Sequence, residues 1–160
     1  MGRGNETMDE YRFREARLDE LAVLVDMLAD DELGQTRESP GTPLDRGYVA
    51  AFTAIQKDPN NELIVCESGG ELLGMLQITF LPYLTYVGSW RALIEGVRVA
   101  SSHRGKGIGA KLFEWAIERA EERGCLIVQL TSDKSRPDAI RFYEKLGFKA
   151  SHEGMKLWLN

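Results

Sequence analysis

Three glycines at alternate positions, Gly105, Gly107 and Gly109, lie between an apolar segment ending at Val99 and an amphipathic one beginning at Ile108. Glycine at such a junction lets the backbone approach a ligand and turn its N–H groups inward. A helix starting there adds unpaired donors and partial positive charge, which together favour phosphate. Arg104, Lys106 and Lys111 add full charges. The stretch from Arg104 through Gly105, Lys106, Gly107, Ile108 and Gly109 to Ala110 therefore reads as a pyrophosphate cradle. The plainer reading is a tight strand-to-helix turn that happens to use glycine. Three glycines at a predicted helix start weigh against it, because they are costly without a reason.

The identity of the phosphate ligand is narrowed by spacing. The Gly-x-x-x-x-Gly-Lys-Ser/Thr pattern of a nucleotide-binding P-loop is absent. Gly105-Lys106-Gly107-Ile108-Gly109-Ala110 does match G-x-G-x-x-G/A, the dinucleotide fingerprint, and Asp133 follows near the position of its acidic residue. Five residues separate Val99 from Gly105, however, whereas a dinucleotide fold turns straight from strand into glycines. Only 51 residues follow Gly109, too few to complete a doubly wound sheet.

The stretch instead resembles the acetyl-CoA-binding motif of the GNAT superfamily of N-acetyltransferases, Arg/Gln-x-x-Gly-x-Gly/Ala, present as Arg104-Gly105-Lys106-Gly107-Ile108-Gly109. Glu95-Gly96-Val97-Arg98-Val99 is similar to the family's fourth strand. Ala139-Ile140-Arg141-Phe142-Tyr143-Glu144-Lys145-Leu146-Gly147-Phe148 is similar to its second block, Ala-x-x-x-Tyr-x-x-x-Gly-Phe. The blocks occur in the family's order, with a helix and a strand between them. Two positions depart from the pattern: Arg136 stands where many members have Asn, and Ser101 where many have Pro.

The resemblance implies acetyl-CoA as co-substrate. The family's fourth and fifth strands splay, and the pantetheine arm hydrogen-bonds the main chain of Val97 and Val99, with Arg98 between them, like an added strand. The pyrophosphate rests on the N–H groups from Gly105 to Ala110, and Arg136 occupies the position of a further cofactor contact. An amine acceptor attacks the thioester directly, which suits a sequence without a Ser-His or Cys-His nucleophile signature. Tyr143 is the expected acid for the departing thiolate, since a phenol near pKa ~10 can protonate a thiol near ~8.5. Its alternative is a core tyrosine on the apolar face with Ile140 and Leu146. Glu95, a lone carboxylate in the apolar run Leu93–Val99, is the candidate base for the attacking ammonium. The alternatives are a structural ion pair or a solvent-facing strand residue. Strand alternation puts Glu95 on one face with Val97 and Val99 unless Gly96 introduces a bulge.

The elements that must position these residues follow from periodicity. Tyr11–Glu15 reads as a strand and Asp19–Asp30 as an amphipathic helix carrying Leu21, Leu24, Val25 and Leu28 on one face. Asp31–Gly41 reads as a loop. The segment from Thr42 to Ile55 reads as a second helix with Thr42 as N-cap and Pro43 at its first position. Leu63–Glu67 and Leu72–Leu81 form a hairpin across Gly69-Gly70, with Leu72, Leu76, Ile78 and Phe80 on one face. Strand Leu93–Val99, helix Ile108–Arg123, buried strand Cys125–Thr131, helix Pro137–Leu146 and strands Phe148–Ser151 and Met155–Leu159 complete the chain. The order β-α-α-β-β-β-α-β-α-β-β predicts a single α/β domain over residues 11–160, with a mixed, mostly antiparallel twisted sheet and helices on both faces. Residues 1–10 read as a flexible tail. In GNAT proteins the loop between the first two helices borders the acceptor site, which directs attention to Asp30-Asp31-Glu32 and also to Trp90-Arg91.

Composition limits the partners. The 160 residues carry 20 Lys plus Arg against 25 Asp plus Glu, a net charge of −5, opposite to the balance of a protein living on phosphate contacts with nucleic acid. An acidic protein suits a cationic acceptor such as a small-molecule primary amine. Cys66 and Cys125 form no Cys-x-x-Cys pair, and His103 and His152 have no partner at ligand spacing, so neither a metal site nor a disulfide framework is expected. A reducing, cytoplasmic setting fits. The 19 uncharged residues from Leu72 to Trp90 are interrupted by Gly, Gln, Thr and Pro, so no membrane span is expected, and Met1–Glu10 lacks the apolar core of a signal peptide. Homodimerisation is compatible with the sequence. The leading expectation is an acetyl-CoA-dependent N-acetyltransferase. A non-catalytic acyl-CoA-binding module and a dinucleotide-dependent oxidoreductase remain as alternatives.

Overall fold

The computed structural model describes residues 11–160; the segment 1–10, expected as a tail, lies outside the described residues. β2 (Asn61–Ser68) and β3 (Glu71–Pro82) pair antiparallel across Gly69 and Gly70, both at positive φ as a tight hairpin requires. β1 (Arg12–Glu15) joins the outer side of β2, and β4 (Trp90–Val99) pairs antiparallel with β3. β5 (Cys125–Gln129) adds parallel to β4, giving the sheet order β1-β2-β3-β4-β5. Three of the four pairings are antiparallel, which a doubly wound dinucleotide fold does not allow.

Helices cover both faces. α5 (Ile108–Glu122) lays Ile108, Leu112, Phe113, Ala116 and Ala120 on Leu76, Ile78 and Phe80 of β3 and Ala92 and Ile94 of β4. α6 (Pro137–Lys145) packs on the same side, its Tyr143 edge-on to Phe113 at 5.4 Å. The opposite face holds α1 (Leu21–Ala29) and α3 (Arg46–Lys57), where Leu24, Val25 and Phe52 meet Val65 and Met75. Near the hairpin, β2 and β3 slip register between Cys66 and Glu67, and this sends Leu72 to the α1 face instead of the face shared by Leu76, Ile78 and Phe80.

Several boundaries differ from the sequence expectation. The first helix begins with a 3-10 turn at Leu18–Glu20, and the expected loop 31–41 contains a helical turn, α2 (Gly34–Arg37). The second helix is capped by Asp45, whose side chain accepts from the Gly47 N–H at 2.8 Å, so Thr42 and Pro43 lie outside it. The Asp45 carboxylate supplies the cap that Thr42 was expected to provide. A turn, α4 (Thr85–Gly88), leads into β4, which starts at Trp90 instead of Leu93. The expected strands 148–151 and 155–159 are not strands: these residues pair with nothing in the sheet, and β5 remains an edge instead of a buried strand. Alternation supplies strand propensity, but a strand exists only where a neighbour accepts its backbone groups.

Gly74 fixes how closely α5 approaches β4. A Cβ there would lie 2.8 Å from the Arg98 carbonyl oxygen and 3.0 Å from Leu112 Cδ1. Gly74→Ala is therefore expected to lower unfolding free energy by roughly 1–3 kcal/mol, as overpacking does. Urea denaturation checks this, and an unchanged midpoint would show that the backbone yields freely.

Candidate functional site

The β4–β5 ladder begins at Trp90–Cys125 and ends at Leu93–Gln129. Beyond Leu93, β4 continues to Val99 without a partner on that side, and the two strands diverge. In the same stretch β4 bulges against β3: between the pairs Met75–Arg98 and Gln77–Glu95, Leu76 alone opposes both Gly96 and Val97. Gly96 sits in the bulge at φ +61°, with Leu28 of α1 packed above it. Non-glycine residues adopt this conformation with strain, so the sequence places its glycine where the strand must kink.

The bulge reassigns the faces. Val97 and Val99 pack toward α5 with Ile94, while Glu95 and Arg98 turn to the α1 face. Glu95 therefore does not share a face with Val97 and Val99. It is solvent-exposed, two residues past the last β4–β5 pair. Arg98 is mostly buried; it donates to the Val97 carbonyl at 2.9 Å and lies 3.1 Å from Asp31 Oδ2. Burial pushes its guanidinium below its ordinary pKa, and Asp31 opposes that shift.

The glycine loop follows β4 through a 3-10 turn at Ser101–His103. Gly105 and Gly107 have φ of +77° and +80°, and nothing lies within 4 Å of where a Cβ would stand on either. Among the described residues, the N–H groups from Arg104 to Ala110 donate to no protein acceptor; the first bond of the new helix is Lys111 N–H to the Gly107 carbonyl at 3.2 Å. Seven successive N–H groups without an acceptor thus lie at the positive end of a fifteen-residue helix, an arrangement that favours negative charge. Lys106 and Arg104 are exposed beside it, and Arg104 reaches the Asp30 carbonyl at 2.8 Å. The Ile108 side chain is buried in the core, so this residue presents only its backbone N–H to the run.

Tyr143 is half-buried among Phe113, Phe142 and Phe148. Burial raises its phenol above 10.0, and the charges of Arg136 and Arg98 pull the other way, so it is protonated at neutral pH. Arg136 is the N-cap residue of α6, exposed, with its N–H on the Asp133 carbonyl at 3.0 Å. The fold thus gathers Arg98 from β4, Arg136 from the α6 entry and Tyr143 from α6 at the open end of the strand pair.

The end of α1 closes this region. Asp31 both pairs with Arg98 and accepts the Gly34 N–H through Oδ1. A Cβ at Gly34 would collide with the Leu28 carbonyl oxygen, so glycine is required for α2 to fold back against α1. Arg37 of α2 and Glu38 just after it bear on Arg98 electrostatically. The acidic run Asp30-Asp31-Glu32 was the available signal. Trp90 and Arg91 sit at the paired end of β4, where Arg91 stacks over Tyr83 at 4.4 Å, away from the divergence. His103 contacts Glu71 Oε1 at 2.9 Å. A cavity of about 270 Å³ lies on the far side of α5, between Arg14, Glu62 and Trp115; its Glu62 is already clamped by Arg119, and it is remote from the chemistry. Among the described residues no cluster of His, Cys, Asp or Glu could hold a metal ion, and no helix is long and apolar enough to cross a membrane.

The model of the acetyltransferase (GNAT) family matches residues 24–148. The chain is 34% identical over 101 residues to aminoalkylphosphonate N-acetyltransferase from Salmonella typhimurium, covering 63% of this chain and 65% of that one. It is 34% identical over 142 residues to streptothricin acetyltransferase from Streptomyces lavendulae, covering 89% of this chain and 65% of that one. The chain thus spans just under two thirds of the length of these two curated relatives. A crystal structure described as a transcriptional regulator from Bacillus halodurans C-125 superposes with a TM-score of 0.90 at 61% identity, covering 94% of this chain and 100% of that one.

Asp31→Asn keeps an oxygen for the Gly34 N–H but removes the charge facing Arg98. A loss of roughly 1–3 kcal/mol in unfolding free energy is expected, the cost of stripping a partner from a largely buried polar group. A double-mutant cycle with Arg98→Gln measures the coupling, and a value near zero would reduce the pair to a surface contact.

Proposed function

On the premise that the chain belongs to the GNAT acetyltransferase family, we propose that it moves an acetyl group from acetyl-CoA directly to a primary amine of a small molecule. The observation that carries this reading is the pair of vacant backbone arrays: the free side of β4 at Val97–Val99 and the free N–H groups of Arg104–Ala110. The first suits an extended pantetheine arm adding as a strand. The second suits a pyrophosphate, with Lys106 supplying further charge and Gly107 and Gly109 allowing close approach. Arg98 is assigned to holding β4 against α1, its side chain being spent on Asp31. Arg136 is assigned to the cofactor side, near Tyr143.

In this scheme the acceptor's ammonium gives a proton to Glu95, directly or through water. The amine nitrogen then bonds to the thioester carbonyl carbon, the C–S bond breaks as the sulfur takes the Tyr143 proton, and the surplus proton on the new amide nitrogen returns to the Tyr143 phenolate, directly or through water. Three features support these roles. Glu95 is exposed at the point where β4 leaves β5, so an arm lying along Val97 and Val99 would bring its thioester end toward it. Tyr143 stays protonated at neutral pH, as an acid must. No described residue hydrogen-bonds its hydroxyl, which leaves the proton available. The two curated relatives are named as acetyltransferases, one of aminoalkylphosphonates and one of streptothricin, and these names support an amine of a small molecule here too. The net charge of −5 favours such an acceptor over nucleic acid.

Gly107→Val should abolish acetyl-CoA binding in calorimetry while the protein stays folded, because a β-branched residue is strained at φ +80° and its side chain would enter the cradle. Unchanged affinity would refute the cradle. In a thiol-release assay with an amine panel, Tyr143→Phe should lower turnover by roughly 10²–10⁴ with little change in acetyl-CoA affinity. The loss of activity attributable to Tyr143 ionisation should lie above pH 10. Glu95→Gln should remove most activity and flatten the low-pH limb if Glu95 is the base. It should chiefly raise the acceptor KM if Glu95 only attracts the cation. Wild-type kinetics in Glu95→Gln would exclude both roles.

A further inference from the structure

The two edges of the sheet are unlike. β1 carries Arg12, Arg14 and Glu15, charges that discourage another strand from adding. β5 reads Cys-Leu-Ile-Val-Gln with no charge, its outer backbone groups are unpaired, and Leu126 is 63% exposed. Such an edge is a template for a further strand.

The chain contains a segment suited to that edge and does not place it there. Met155, Leu157, Trp158 and Leu159 are 93, 86, 81 and 88% exposed, far more apolar surface than a short C-terminal segment ordinarily leaves in water. Met155, Leu157 and Leu159 alternate with Lys156 and Trp158, the period of a strand. The segment is anchored just before it begins: Glu153 lies 2.6 Å from Lys134, and a Cβ on Gly154 would be 3.7 Å from Thr131 Cγ2. It therefore departs from the C-terminal end of β5, yet residues 155–159 pair with no strand among the described residues. Among these residues the chain thus has both a five-residue strand-like segment and a five-residue sheet edge without a partner.

We infer that residues 155–159 of one copy add to the β5 edge of a second copy, and reciprocally, forming a strand-exchanged dimer. Two tails and two edges satisfy each other about a twofold axis. The exchange buries apolar tail side chains and pairs the outer backbone of β5, and the twofold closes the assembly at two copies. A second copy is favoured over an unrelated partner because edge and tail come from the same chain in equal number and equal length.

Analytical ultracentrifugation of the intact chain at micromolar concentration tests this. Twice the 18.0 kDa chain mass is expected. The double substitution Leu157→Lys with Leu159→Lys, and a chain ending at Gly154, should each sediment as monomers. A monomeric intact chain would overturn the inference, its tail then folding onto its own β5 or staying free. A dimer that survives both changes would overturn it too, placing the interface elsewhere. If the variants fail to fold, a benzophenone amino acid replacing Trp158 provides the second reading. Photo-cross-linking should join it to the Cys125–Gln129 peptide in products of dimer mass, and joining only within products of monomer mass would refute exchange.

Discussion

The parallel ladder between β4 and β5 stops at Leu93–Gln129, and every feature of the candidate site depends on that stop. A sheet normally consumes its backbone donors and acceptors in pairing. Here β4 runs on to Val99 with one side unpaired, and β5 turns away toward α6. The Gly96 bulge accompanies the divergence, adding local twist and a kink to β4 at the residue where its partner is lost. The resulting wedge has main-chain hydrogen-bonding groups on one wall and Tyr143 beyond the other.

The bulge also sorts charge. Without it, Glu95 and Arg98 would point to opposite faces of the sheet. With it, both lie on the α1 side, where Arg98 meets Asp31 and Glu95 stays in water. Arg98 and Arg104 tether the two consecutive acids at the end of α1, one from β4 and one from the glycine loop. Two contacts thereby tie the far end of α1 to the two segments that frame the wedge. Farther away, Glu20 and Glu62 are nearly buried but each is held by arginine: Arg14 contacts Glu20 through two bonds of 2.8 Å, and Arg119 grips Glu62. These pairs fasten the 3-10 turn to β1 and α5 to β2 without offering free chemistry, since each carboxylate is already neutralised.

Much of this was legible in the residues. The glycine run, the strand before it and the second block around Tyr143 carried the family resemblance, because a backbone that must approach phosphate can use few other residues. Periodicity gave α1, α3, α5 and α6 to within a few residues, since each buries one stripe. Gly96 was visible as a place where the strand could bulge.

Tertiary structure decided the rest. Whether Gly96 bulged, and so which face Glu95 occupied, depended on register with β3, a relation between segments about twenty residues apart that no local pattern encodes. The Arg98–Asp31 pair joins a strand to the end of a distant helix and left no signature beyond an acidic run. The last two strands failed for a related reason. Residues 155–159 alternate as a strand should, but alternation states only which side chains share a face. A strand also needs a neighbour for its N–H and C=O groups, and within one chain the β5 edge does not take that role. The sequence by itself determined the fold class and the family. Side-chain direction and backbone pairing were fixed by contacts between segments far apart along the chain.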